Sequence, residues 1–352
     1  MSGSVGVRAR FERATVTALG RAPASVARLI GGRPAMSGGV SMDAATWALL
    51  RLGARLPGYE EMPVDQARAQ MDHDTCLLGG APIPMHEVRD LRIGTGQGGI
   101  GARVYRADAR DRDRLVVYFH GGGWVLGSLT SADSACRFLA RHAGVSVLSV
   151  DYRLAPEFPF PAAPDDALAA FRFAVARAED WGHDPELIAV GGDSAGGNLA
   201  AVLCQDLRIT AETRPAFQLL LYPGTDLSTR RPSYAEFAHG FFITPEMVQW
   251  FIEHYLGPHP ATDPRVSPLL AEDLAGLPAA YVAVAGFDML RDEGEAYARK
   301  LAAAGVPVAL RRHEQLIHGF ADSTGFSHGS REAMLEACGA LRMAVGAGTT
   351  PR

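Results

Sequence analysis

From about residue 92 the chain alternates two apolar patterns. Short continuous runs rich in β-branched residues come first: "RLVVYFH" (114–120), "VSVLSVDY" (145–152) and "LIAVGGD" (187–193). "AFQLLLYP", "AAYVAVAGFD" and "VPVALRRHE" repeat the type. Such runs predict strands covered on both faces. Between them lie stretches of helical character: "SADSACRFLARHAG", "DDALAAFRFAVARAEDWG" (165–182), "GNLAAVLCQDLRIT" and "DEGEAYARKLAAAG". In residues 165–182, Leu168, Phe171, Phe173 and Val175 are helically spaced and Gly182 supplies the stop. Strands alternating with helices predict an α/β class, with a mostly parallel central sheet flanked by helices.

Two segments break the alternation. Residues 1–75 carry helical patterns but no convincing strand. Residues 226–262 interrupt the series with "TPEMVQWFIEHYLG", a helix with Thr244 as N-cap, Pro245 in the first turn and Gly257 as stop. Both lie outside the α/β unit, which predicts a helical cap built from the two. The expected division is a cap segment at 1–75, core at 76–225, a cap insertion at 226–262 and core again at 263–352.

The 352 residues suffice for a large core, and 47% hydrophobic with 21% charged residues is ordinary for a globular protein. A net charge of -5 provides no global basic field for nucleic acid. No apolar run approaches the roughly 18 residues that span a bilayer. Cys76, Cys136, Cys204 and Cys338 are scattered, with neither metal spacing nor disulfide density, which suggests plain burial or a reducing compartment, and the cytoplasm is the expected one. The first 35 residues hold Arg8, Arg10, Arg13, Arg21, Arg28 and Arg33 against Glu12 alone. This fits a transit peptide, a membrane-surface helix or an ordinary amphipathic helix of the fold. Weak membrane-surface contact by this segment stays open, as does a homodimer.

Gly-x-Ser-x-Gly occurs twice, around Ser194 and around Ser327. With 39 glycines in the chain, the pattern alone is weak, and context chooses. Ser194 directly follows the strand "LIAV" and precedes a helix, with small neighbours Gly192, Ala195, Gly196 and Gly197. A nucleophile on a strained strand-to-helix turn needs that setting, and the helix N-terminus favours developing negative charge. Ser327 sits in loop composition with no strand before it. A serine hydroxyl also needs a base, and the base an orienting carboxylate. Asp288 ends a strand, and His318 lies 30 positions on, beyond the last strand, in the chain order Ser, Asp, His. Asp292 reads as a helix-starting cap and His313 as structural. His313 and His318, five apart, lack the four-residue spacing of a zinc helix, so no metal is expected. "HGGGW" (120–124) follows a strand; its glycines leave N–H groups free to meet a ligand without a Cβ in the way. Such donors with that of Ala195 would hold an oxyanion. Trp124, Phe241 and Phe242 are the expected substrate-pocket residues, the two phenylalanines lying in the loop before the 245–256 helix.

"HGGGW" (120–124), "DYRLAPEFPFPAA" (151–163), "GDSAGG" (192–197), "DMLRD" (288–292) and "IHGF" (317–320) occur in this order. On these motifs the chain, over about residues 90–345, resembles the hormone-sensitive-lipase-like family of α/β-hydrolases, also called bacterial family IV. "DML" stands where the family often has "DPL". The resemblance implies the α/β-hydrolase fold with a helical cap. It implies a serine esterase of short- to medium-chain carboxylic esters, a small-molecule or lipid ester as substrate, and no cofactor. Carried over by position, it gives Ser194 as nucleophile, Asp288 as orienting acid, His318 as base, and Gly122, Gly123 and Ala195 as oxyanion donors. Two other classes fit the scaffold: an amide-cleaving deacetylase, and a non-catalytic ligand receptor, against which the presence of His318 speaks.

Overall fold

The structure, a computed structural model, describes residues 12, 14–95, 98–109, 114–210 and 212–346. Arg8, Arg10 and Arg13 of the basic segment lie outside the described residues.

Eight strands form one sheet: β1 (Glu87–Ile93), β2 (Ile100–Arg106), β3 (Leu115–Phe119), β4 (Ser146–Asp151), β5 (Ile188–Asp193), β6 (Gln218–Leu221), β7 (Ala280–Phe287) and β8 (Val308–Ile317). Their spatial order is β8-β7-β6-β5-β3-β4-β2-β1. The pairs β1/β2 and β2/β4 are antiparallel; the rest are parallel. β3, β5, β6 and β7 are buried along their whole length, which is why they read as unbroken apolar runs. The two edge strands differ. Glu87, Arg89, Asp90 and Arg92 on β1, and Arg311, Arg312 and Glu314 on β8, put charges where a flat apolar edge would invite aggregation.

Helices cover both faces. The long helices α5 (Ala162–Trp181) and α6 (Ala195–Arg208) enclose one core, with Phe171, Leu199 and Leu203 against Val117, Phe119 and Val190. α4 (Asp133–Leu139) and α10 (His328–Gly346) enclose the other, with Phe138, Met334 and Leu341 against Tyr118, Leu219 and Ala283. α9 (Arg291–Ala303) connects β7 to β8. β3 and β5 are spatial neighbours, yet the chain leaves β3 for β4 on one side and continues from β5 to β6 on the other. Such a switch point opens a crevice at the carboxyl ends of the strands, where ligands bind in open α/β sheets.

The N-terminal segment holds α1 (Ala24–Gly31), α2 (Ala44–Gly53) and α3 (Val64–Gly79), and the insertion holds α7 (Pro232–Glu236) and α8 (Pro245–Leu256). Thr244 caps α8 as expected, its Oγ1 accepting the Met247 N–H at 3.1 Å, and Gly257 ends it at φ 56°. Met42, Trp47 and Tyr59 from the first segment pack with Phe237, Phe241, Ile243 and Met247 from the second. Two details differ from expectation. Met36–Ser37 and Val40–Ser41 form a small antiparallel hairpin inside the N-terminal segment, too short for periodicity to register. The boundary at 75/76 also falls inside α3, which continues to Gly79 because no stop residue precedes Gly79 and Gly80.

Candidate active site

β5 ends at Asp193 and α6 begins at Ala195, so a single residue makes the turn. That residue is Ser194, at φ 53° and ψ -117°, a backbone conformation that persists only where the surroundings enforce it. Missing side chains make room: a Cβ on Gly196 would strike the carbonyl of Phe119. The Ser194 N–H donates to the Leu221 carbonyl at 2.9 Å, and its own carbonyl accepts the Asn198 N–H at 3.0 Å. The hydroxyl caps nothing on α6 and stays available.

His318 follows β8 directly, where a register shift between His313 and Ile317 bends the strand end. Its Nδ1 lies 2.8 Å from Asp288 Oδ2 and its Nε2 2.9 Å from Ser194 Oγ. A carboxylate can only accept, so Nδ1–H donates to Asp288 and Nε2 is left to accept the Ser194 hydroxyl proton. Asp288 is fully buried, and its Oδ1 accepts the Leu290 N–H at 2.9 Å, which fixes the carboxyl plane.

Asp292, expected to cap its helix, instead ties α9 to α7. It accepts the Ser233 N–H at 2.9 Å and pairs with Arg291. Ser327 has a structural place at the N-cap of α10, its Oγ accepting the Ser330 N–H at 3.2 Å. His313 sits within β8 and meets the Phe320 ring edge-on at 5.3 Å. Among the described residues no group of three or more His, Cys, Asp or Glu could hold a metal ion.

The glycine loop after β3 is anchored to the serine turn by a residue that the sequence reading passed over. Asp193 Oδ1 accepts the Gly121 N–H at 3.0 Å and the Tyr118 hydroxyl at 2.8 Å. Burial pushes this carboxyl up, while the two donors oppose the shift. Gly122 stands at φ 109° and Gly123 at φ 60°. A Cβ on Gly122 would strike the Leu126 carbonyl, and one on Gly123 the ring of Phe251. Among the described residues the N–H groups of Gly122, Gly123 and Ala195 have no hydrogen-bond acceptor. His120 is a support: its ring stacks on Tyr152 at 4.3 Å, and burial lowers its imidazole to about 4, so it stays neutral.

Ser194, Ala195, Gly123, Trp124 and His318 line one narrow cavity of ≈ 50 Å³. Trp124, at φ 61°, is held by stacking on Tyr255 at 4.4 Å. Phe241 and Phe242 do not line the cavity. Phe241 turns into the cap, against Trp47, Phe237 and Phe287. Phe242 is 40% exposed and lies beside Gly319, edge-on to Tyr59. The apolar wall comes instead from Leu227, Ile243, Val248, Phe251, Ile252 and Leu290. Val248, Phe251 and Ile252 share one face of α8 at spacings of three and four, a signal present in the sequence. Asp226, Arg230 and Glu293 add polar groups.

A family model described as the alpha/beta hydrolase fold matches residues 116–322. A carboxylic ester hydrolase of Mycobacterium tuberculosis, LipN, is 44% identical over 325 residues, covering 89% of this chain and 86% of that protein. An ethyl acetate hydrolase of Pseudomonas putida is 40% identical over 265 residues, covering 74% and 83%. Among solved structures, an ester hydrolase from the metagenome of Lake Arreo, complexed with a derivative of bipyridine phosphonate, is 41% identical. Its TM-score is 0.81, covering 86% of this chain and 98% of that one. A hyperthermophilic esterase of Pyrobaculum calidifontis is 40% identical, with a TM-score of 0.81, covering 85% and 97%. With its serine turn, its glycine loop and this likeness along most of its length, the chain belongs to the hormone-sensitive-lipase-like family, bacterial family IV, of the α/β-hydrolases.

Proposed function

We propose that the protein hydrolyses carboxylic esters of short acyl chain through an acyl-enzyme on Ser194. One observation carries this: the two hydrogen bonds that link Asp288, His318 and Ser194, at 2.8 and 2.9 Å, in a cavity bordered by free backbone donors. Ser194 Oγ attacks the ester carbonyl as His318 Nε2 takes its proton. Gly122, Gly123 and Ala195 donate N–H groups to the oxyanion, and Asp288 stabilises the imidazolium. His318 then returns the proton to the departing alkoxide, and the alcohol leaves. Water, deprotonated by His318, attacks the acyl-enzyme, and collapse releases the acid and Ser194. The cavity is narrow and walled by Leu227, Ile243, Val248, Phe251 and Leu290, which supports short acyl chains.

The test combines labelling with mutation. A phosphonate ester should place its adduct on the peptide that holds Ser194, and Ser194→Ala should lower ester hydrolysis by roughly 10³-fold or more. Ser327→Ala should remove only a helix cap, about 1 kcal/mol of stability. An adduct on Ser327, or an active Ser194→Ala, refutes the mechanism.

We also propose weak contact with anionic membrane surfaces through the N-terminal segment. Val26, Leu29 and Ile30 are exposed on α1, which carries Arg28, and Arg21 and Arg33 flank it. No helix among the described residues is long and apolar enough to cross a membrane. Co-sedimentation with anionic but not neutral vesicles would support the contact, and equal binding to both would refute it. Residence in the cytoplasm and a homodimer are proposals for fractionation and sedimentation analysis to decide.

A further inference from the structure

Glu293 is a buried carboxyl on the wall of the cavity that holds Ser194, and the mechanism above does not use it. Its Oε1 is fully engaged, accepting the Thr225 N–H at 2.7 Å and the Asp226 N–H at 3.2 Å. These bonds fix the 224–226 loop, whose Gly224 N–H donates to the Ser194 carbonyl at 3.3 Å. The other oxygen, Oε2, has no hydrogen-bond partner among the described residues, yet it is not sealed from solvent. Glu293 is only 5% exposed, and it borders open space. That space is the cavity shared with Ser194 and His318.

The surroundings give this oxygen its meaning. Leu227, Ile243, Phe251 and Leu290 offer an occupant nothing polar to bind, and of the other polar lining residues Asp226 is held by Ser228 and Arg231 while Arg230 lies over the Tyr234 ring. A few placed polar groups in an apolar cavity set the orientation of what binds there. A polar atom left unpaired on binding costs affinity, so an occupant that pairs it is favoured over one that does not.

Resting on the esterase reading above, we propose that Glu293 Oε2 is a specificity determinant that selects esters with a hydroxyl group near the scissile carbonyl, by a direct hydrogen bond to that hydroxyl. Burial raises the Glu293 carboxyl to about 8, with Asp226 and Asp288 adding to the rise against the two N–H donors. Burial thus favours the protonated form, in which Oε2 can donate to the hydroxyl oxygen.

The experiment measures kcat/KM for two substrate pairs by proton release at pH 7. The pairs are ethyl butyrate with ethyl 3-hydroxybutyrate, and ethyl acetate with 2-hydroxyethyl acetate. The parent protein should favour the hydroxylated member of at least one pair about tenfold, and the favoured pair tells whether the acyl or the alcohol side lies against Glu293. Glu293→Gln, which keeps a donor and an acceptor, should retain most of the ratio. Glu293→Met, similar in shape but without the oxygen, should bring it to about one. If Glu293→Met does not fold, Glu293→Asp, which withdraws the oxygen by one methylene, should give the same loss. No preference in either pair, or a ratio unchanged in every variant, overturns the proposal while the plain esters are still turned over. Failure of the esterase reading looks different: neither plain ester is hydrolysed, or Ser194→Ala hydrolyses both.

Discussion

Asp288 and Asp292 lie four positions apart, and the structure gives them different partners. Asp288 meets His318, whereas Asp292 meets Ser233 and Arg291. Asp288→Asn should therefore lower kcat by roughly 10³ to 10⁴-fold, since an amide there no longer holds the productive imidazole tautomer. Asp292→Asn should leave kcat within a few-fold and lower the melting temperature. Rates and thermal melts on both variants check this, and exchanged outcomes would mean that the acid is misassigned. Glu293 offers a second residue-scale test, in stability. Its carboxyl titrates near 8 in the fold and near 4.5 as an unperturbed group. A carboxyl raised in this way contributes stability below pH 4.5 and loses that contribution as pH climbs through 8. The melting temperature of the parent protein should thus fall relative to Glu293→Gln between pH 5 and pH 9. A constant difference across that range would mean that the carboxyl is ionised throughout.

Helix α8 and the loop before it decide what the cavity can hold. Phe251 covers Gly123 closely enough that a Cβ there would strike its ring, and it forms part of the cavity wall. Phe241 belongs to an aromatic cluster with Phe237 and Phe287, at 5.3 and 5.7 Å. Phe251→Ala should deepen the cavity and raise kcat/KM for eight-carbon relative to two-carbon acyl esters by about tenfold, the equivalent of about 1.4 kcal/mol. Phe241→Ala should leave the chain-length profile unchanged and destabilise the cap. Because Phe241 is only half-buried, the loss should be roughly half the about 3–5 kcal/mol of a fully buried phenylalanine. Specificity constants over two, four and eight carbons, with melting temperatures, separate the two roles. A shifted profile in Phe241→Ala and none in Phe251→Ala would reverse this assignment.

At the scale of the whole molecule, the N-terminal segment is fastened to the loops that carry the site. Arg68 on α3 donates to the carbonyls of Val125 and Ala155, both at 2.9 Å, and pairs with Glu157 at 2.7 Å. Val125 follows Trp124 directly, so one guanidinium joins the cap segment, the glycine loop and the 155–157 turn. Arg68→Ala leaves two carbonyls without their donor, at about 1–3 kcal/mol for each buried group. It should lower the melting temperature by several degrees and reduce kcat with it. The exposed pair Arg172–Glu212 serves as control, since solvent-screened pairs of this kind contribute little. Equal effects of Arg68→Ala and Arg172→Ala would mean that the fastening does not matter.

Local pattern determined the strands, the helices between them and the order in which the site residues follow strand ends. The reason is that burial on both faces writes continuous apolar runs into β3, β5 and β7, while a turn of one residue demands the small neighbours of Ser194. Proximity was not local. Ser194 and His318 are 124 positions apart, and only the sheet order brings Nε2 to Oγ. Packing also decided which aromatic rings face the cavity, because Phe241 turns towards Trp47 and Phe287, residues remote from it in the chain. The same holds for Glu293, one residue beyond an aspartate already weighed. Its place in the cavity depends on the 224–226 loop folding over it, and no spacing along the chain encodes that contact.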